Sequence, residues 1–307
     1  MKKRIITGIV YLGILLPLVI INCNFTHVLY TILTMFVCFY GSYEIMRAAN
    51  NSNMQKNDGC NFGILKYIIP SFSSILGFLS ITSTYNNGAK LFITTGNEFE
   101  YLLYIYILFV FVILCFLVCK KNSSMKDYGS CLAALTYSGL LMGLAFSIRF
   151  LEPPALASKL NITGTKCFLF VYAIVILTDS FAMIFGCKFG KHRLAPIVSP
   201  KKSVEGAIFG LIGGALAGIL GLFAFGICNY NTENLFVIIL LAIVVSLLIS
   251  CAGQFGDLIE SKIKRCYEIK DMGNILPGHG GILDRFDSLL FAGLIFYIAI
   301  TFIAKLI

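Results

Sequence analysis

Apolar residues in this chain recur in runs of about 17–23 residues, each long enough as a helix to cross a hydrocarbon core of roughly 30 Å. Nine such runs lie near residues 5–22, 27–47, 64–83, 101–119, 129–148, 167–186, 205–227, 234–255 and 288–305. The expected fold is an all-α polytopic integral membrane protein with about nine transmembrane helices. Composition points the same way. The 307 residues are 58% apolar and only 13% charged, against about 25% charged in soluble proteins, which argues against a soluble two-domain enzyme.

The few charges are sorted by position. With Met1 in the cytoplasm, all but five of the 24 Lys and Arg residues fall on the inner side, the exceptions being Lys90, Arg149, Lys159, Lys166 and Lys305. That bias predicts a cytoplasmic N-terminus. Much of the net charge of +9 is therefore topological. No basic stripe with interleaved aromatics is present, so nucleic acid is not an expected partner. Lys2, Lys3 and Arg4 precede an apolar run that ends at Asn22-Cys23-Asn24 without a small-residue cleavage site, which reads as a retained first span rather than a signal peptide. The 11 cysteines include no CxxC pair and lie mostly in apolar runs, where buried thiols serve as small hydrophobes.

Organisation is lopsided. Residues 1–165 read as N-terminal transmembrane helices joined by plain loops, and 166–307 as a catalytic transmembrane region with cytoplasmic loops at 187–204 and 256–287. The seventh run carries Gly206, Gly210, Gly213, Gly214, Gly218 and Gly221, a small-residue face for close helix packing. Neither a fixed-period repeat nor an inverted pair of broken spans supports a transporter.

Chemistry concentrates in the 256–287 loop, which holds Asp257, Glu260, Glu268, Asp271, Asp284 and Asp287 out of 15 acids in the chain. Asp284 and Asp287 are three apart, so a helix starting near Asp284 places both on one face, and Asp257 could supply the opposite side. Like charges this close call for a hard cation between them, Mg²⁺ above all. The alternative is an ordinary ion pair of Asp284 with Arg285 or a loop lysine. Pro277, Gly278, His279, Gly280 and Gly281 form a turn able to expose backbone N–H groups to phosphate, with His279 either structural or a phosphate contact or general acid. The P-loop pattern GxxxxGK[ST] is absent. Ser199, Lys201, Lys202 and Glu205 lead into the seventh helix, whose N-terminus suits an anion, although lysines here are also what topology requires. Asp179 lies inside the sixth run, where a carboxylate is a functional candidate, with helix packing through Thr178 and Ser180 as the alternative. Glu44, near the end of the second run, is a weaker candidate because it could reach the interface beside Arg47.

These residues also carry a family resemblance. Ser261, Lys264-Arg265, Lys270-Asp271, Gly273, Pro277-Gly278-His279-Gly280-Gly281, Asp284-Arg285 and Asp287 follow the signature S-x-x-K-R-x₄-K-D-x-G-x₂-[LIF]-P-G-H-G-G-x₂-D-R-x-D of the phosphatidate cytidylyltransferases, also called CDP-diacylglycerol synthases. Thr178-Asp179-Ser180-Phe181-Ala182 with Gly186 and Gly190 resembles that family's intramembrane Asp motif, and residues 199–206 resemble its S-P-K-K-[TS]-x-E-G motif. The N-terminal half resembles it only in its apolar spans and Glu44.

The resemblance implies transfer of CMP from CTP to phosphatidate in the inner leaflet, with release of pyrophosphate. It implies a two-cation centre on Asp257 and Asp284, with K⁺ beside Mg²⁺, and an expected catalytic set of Asp257, Lys270, His279, Asp284 and Asp287. Asp179, Ser199, Lys201, Lys202, Glu205, Lys264, Arg265, Gly280, Gly281 and Arg285 are the expected substrate-binding residues. A homodimer is the expected assembly. Two rivals stand beside this reading: a CTP-dependent lipid or polyprenol kinase, which would release CDP, and a membrane transporter. The D-G-x₂-A-R motif of the CDP-alcohol phosphotransferases is absent.

Overall fold

A computed structural model describes residues 2–56, 62–87, 97–120, 123–151, 162–227, 235–275 and 280–306. Its helices follow the apolar runs: α1 (Lys2–Ile20), α2 (Asn24–Lys56), α3 (Leu65–Asn87), α4 (Asn97–Val118), α5 (Met125–Phe150), α6 (Gly164–Phe189), α7 (Val204–Ala224), α8 (Leu235–Cys266) and α9 (Leu283–Leu306). Seven of them, α2 to α8, are long and apolar enough to cross a membrane among the described residues. Many apolar side chains point outward. On α4, Leu103, Ile107, Leu108 and Phe111 are all exposed, an arrangement that water would oppose and lipid favours. The protein is an all-α, multi-pass membrane protein.

Two departures from the expected spans matter for the site. Helices α2 and α8 run for 33 and 32 residues, about 50 Å each, so each outlasts a bilayer core by several turns. The extra turns of α8 include Asp257 to Cys266, so the first third of the expected 256–287 loop is helical. In the other expected loop, β1 (Arg193–Ala195) and β2 (Ser199–Ser203) pair antiparallel, a small hairpin within an otherwise helical protein.

The chain gathers into two compact units that alternate along the sequence. One draws on Met1–Asn87, Thr94–Ser147 and Lys264–Phe286. Within it α2 packs on α3, and α3 on α4 and α5. Small residues allow close approach: a Cβ at Gly139 would lie 3.1 Å from the Ser73 Cα. The Tyr30 hydroxyl, fully buried, donates to the Phe146 carbonyl at 2.9 Å. A polar pin holds the segment after α8 to α5, where the Tyr267 hydroxyl donates to Ser130 Oγ at 2.8 Å. Another ties α2 to α5, where Asn53 Nδ2 donates to buried Asp127 at 2.6 Å. Burial raises the Tyr267 phenol above its ordinary range.

The other unit draws on Ile148–Ile263 and Asp287–Ile307. Its centre is the α6–α7 pair, and the expected glycine face of α7 makes the contact. A Cβ at Gly213 would lie 2.6 Å from Phe181 Cγ, and one at Gly214 would lie 2.7 Å from the Ser250 Cβ, so any larger residue would force the helices apart. Thr178 donates to Ser250 Oγ at 2.8 Å inside this packing.

Cysteines divide by position. Cys38, Cys131 and Cys167 are buried as expected, whereas Cys115 and Cys251 lie on outward helix faces and Cys119 is exposed just past the end of α4. The difference follows from the solvent: in a membrane an apolar run can turn its thiols toward lipid as readily as toward the core.

Candidate active site

In the first unit the site is built on the N-terminus of α9. The amides at a helix start have no partner within the helix, and here two carboxylates meet three of them in succession. Gly281 N–H donates to Asp284 Oδ2 at 2.8 Å, and Ile282 and Leu283 donate to Glu44 Oε1 and Oε2 at 3.0 Å each. Asp284 Oδ2 also accepts the Met272 N–H at 3.0 Å, and its Oδ1 pairs with Lys264 at 2.8 Å. The side chains of Lys264 and Asp284 are only 12% and 6% exposed, so loss of either strands a buried charge, at a cost of about 3–5 kcal/mol. The alternative raised by the sequence, an ion pair of Asp284 with Arg285 or a loop lysine, has a counterpart here in Lys264, which lies on α8.

Gly280 begins this turn with φ 86°, a left-handed conformation that side chains resist. A Cβ there would also lie 2.8 Å from Asp284 Oδ2. Gly281 is buried, while Lys270 and Arg285 are exposed. Arg265, also exposed, turns its guanidinium back to the Ile269 carbonyl at 2.8 Å. His279, with Leu276, Pro277 and Gly278, lies outside the described residues.

The second unit carries a different arrangement. Lys202, on β2, pairs with Asp257 Oδ2 at 2.5 Å, and Ser261 donates to Asp257 Oδ1 at 3.3 Å. Asp179 lies in the electrostatic field of Asp287, Asp257 and Lys202. Its side chain is accessible, whereas the adjacent Thr178 is buried in the helix contact. The packing role thus falls to Thr178. Asp287 accepts the Ser288 N–H at 2.7 Å.

Local chemistry explains where β2 sits. Ser203 caps α7 by accepting the Gly206 N–H at 3.1 Å. Glu205 accepts the N–H groups of Lys191 and His192 at 3.1 and 3.2 Å and meets the His192 ring Nδ1 at 2.6 Å. Both ends of the hairpin are thereby tied to the start of α7. Arg193 donates to the Pro200 carbonyl across it. Ser199 pairs with Ala195 in the hairpin, and Lys201 is exposed on it. His192 was not anticipated from sequence. Only its distance from Glu205 along a folded hairpin gives it a role, and no spacing rule foretold that hairpin.

All the acids involved offer carboxylate oxygen, the donor type that Mg²⁺ takes. Asp179, Asp257 and Asp287 share one electrostatic neighbourhood in which Lys202 is the opposing charge, so a divalent cation fits the chemistry of this donor set. Among the described residues, no three His, Cys, Asp or Glu side chains converge tightly enough to form a ready-made metal cluster.

Comparisons with known proteins follow this geometry. Residues 2–303 match the Cytidylyltransferase family. A protein of Staphylococcus saprophyticus named phosphatidate cytidylyltransferase is 32% identical over 293 residues, 95% of each chain. Proteins of the same name from Staphylococcus aureus (strain COL) and Staphylococcus epidermidis are similar too. The first is 35% identical over 75% of this chain and 79% of its own, the second 32% over 95% of each. With a match that spans nearly every residue and relatives aligned end to end, this chain belongs to the cytidylyltransferase family.

Proposed function

We propose that this chain is a phosphatidate cytidylyltransferase: it transfers CMP from CTP to phosphatidate, giving CDP-diacylglycerol and pyrophosphate. The observation that carries this reading is the end-to-end likeness to relatives bearing that name, joined to the signature residues Lys264, Arg265, Lys270, Gly280, Gly281, Asp284, Arg285 and Asp287. In the reaction an oxygen of the phosphatidate phosphate bonds to the α-phosphorus of CTP. The bond from that phosphorus to the bridging oxygen breaks, and pyrophosphate leaves.

Asp257, Asp284 and Asp287 are the residues proposed to hold Mg²⁺, with K⁺ as a second cation. A bound metal supplies neutralisation of phosphate charge and polarises the reacting phosphoryl group. Lys201, Lys202, Lys264, Arg265 and Arg285 provide donors for phosphate and pyrophosphate oxygens. Gly280 and Gly281 let the backbone approach them closely. Lys270 and His279 complete the proposed catalytic set, and Asp179, Ser199 and Glu205 the proposed substrate-binding set. Glu205 does so through the hairpin that bears Lys201 and Lys202.

The proposed topology has nine crossings, the seven named above together with α1 and α9. Its N-terminus and catalytic loops face the cytoplasm, as the basic residues favour. Residues 1–165 form the N-terminal membrane part and 166–307 the catalytic part. The proposed assembly is a homodimer. Purified protein given α-labelled CTP, phosphatidate and Mg²⁺, with and without K⁺, is expected to yield labelled CDP-diacylglycerol and pyrophosphate in equal amounts, and chelation is expected to stop it. Release of CDP with a phosphorylated lipid would instead identify a kinase.

A further inference from the structure

We propose that Glu44, on α2, is a positioning residue for the transfer reaction, acting through the turn that carries Asp284. The proposal rests on the cytidylyltransferase reading and adds to it a residue from the N-terminal half.

Three observations converge on Glu44. Its carboxylate is 3% exposed and meets two consecutive amides, one on each oxygen, at 3.0 Å. A two-point contact of this kind fixes the orientation of a peptide segment as well as its position. The next amide toward the N-terminus, that of Gly281, is held by Asp284 itself at 2.8 Å. The two acids therefore share one turn, and a displacement of Glu44 moves the backbone that seats Asp284.

Packing supplies the third observation. A Cβ on Gly281 would lie 2.5 Å from Glu44 Oε2, and one on Gly273 would collide with Oε1 and lie 2.8 Å from Cδ. Neither glycine has a positive φ. Their smallness is thus required by the Glu44 side chain and not by backbone conformation. Gly273 and residues 281–283 close around a carboxylate that stands 238 positions before Ile282.

A group that sets geometry without touching substrate should act mainly on turnover. Misplacement of a reacting group by about 1 Å costs on the order of a hundredfold in rate. Gln at 44 keeps one acceptor and turns an NH₂ donor toward the second amide. Asp keeps the charge and withdraws it by one methylene.

The test compares wild type, Glu44→Gln, Glu44→Asp, Gly273→Ala and the double variant Gly273→Ala/Glu44→Asp as full chains in lipid nanodiscs. It reads kcat, the KM values for CTP and phosphatidate, and hydrogen exchange at residues 280–284. Glu44→Gln is expected to lower kcat about a hundredfold, change both KM values by less than about threefold, and speed exchange at Ile282 and Leu283 but not in α6 or α7. Gly273→Ala is expected to be impaired in kcat, and withdrawal of the carboxylate in the double variant is expected to recover about tenfold. Turnover of folded Glu44→Gln within about twofold of wild type, with any loss confined to yield or thermal stability, would overturn the proposal. So would simple multiplication of losses in the double variant. That second comparison decides the matter if Glu44→Gln does not fold. A wild-type protein that makes no CDP-diacylglycerol would refute the functional reading instead, while faster exchange in Glu44→Gln would still report the clamp.

Discussion

The turn before α9 and the hairpin before α7 hold their charges in opposite ways. In the turn, Asp284 is enclosed, with Lys264 on one oxygen and two backbone amides on the other. At the hairpin, Asp257 and Lys202 are each nearly a third exposed, and Asp179 lies open beside them in a field dominated by other acids. The first arrangement fixes a carboxylate in place, and the second leaves like charges close together with one lysine to offset them. One region holds its acid among close partners, and the other leaves its acids more accessible.

The contrast can be broken most sharply at Asp284. Replacement by Asn removes the charge that offsets buried Lys264, destabilising the turn by about 3–5 kcal/mol, and is expected to abolish CMP transfer. Membrane insertion, checked by carbonate extraction, should be unchanged. Gly280→Ala tests the same turn through its backbone. Its left-handed φ and the nearness of Asp284 predict about 1–3 kcal/mol of strain in the turn, read as a lower Tm together with a reduced kcat.

In the hairpin region, effects should be smaller and fall on binding. Lys202→Gln leaves the open acids without their cation and is expected to weaken CTP use about tenfold in kcat/KM. The same variant should shift the Mg²⁺ titration to lower concentration, because the acids lose a competitor. An unchanged Mg²⁺ titration would mean that the lysine acts on substrate alone. Smallest is His192→Ala, which removes one exposed contact to Glu205 while the amide contacts persist. About a twofold rise in KM for CTP is expected, with faster proteolysis near residues 191–203.

What could be read in advance was what is written locally. Hydropathy is summed over neighbouring residues, and each expected span overlaps a helix. The glycines of α7 announced a close helix contact because their spacing lies within one element. The hairpin escaped notice because its strands are short, hold Pro200 and a pair of lysines, and lack apolar alternation. Likewise the polar residues from Ser261 to Arg265 looked like a loop, although they continue α8 past its apolar stretch. At the site the acids stood out individually, but their partners did not. Lys264 meets Asp284 across 20 positions, and Glu44 meets Ile282 across 238. Distances of that kind are set by folding rather than by periodicity.

The Glu44 contact also has a consequence in time. A ribosome completes α2 long before it makes residues 280–284, so a carboxylate destined for burial is synthesised more than two hundred residues ahead of its donors. During that interval the acid has none of the amides it will later hold, and a desolvated acid without donors is unfavourable. Closure of the turn around Glu44 both ends that penalty and seats Asp284. Folding of α2 and closure of this turn are then completed together, only after residues 281–284 have been made.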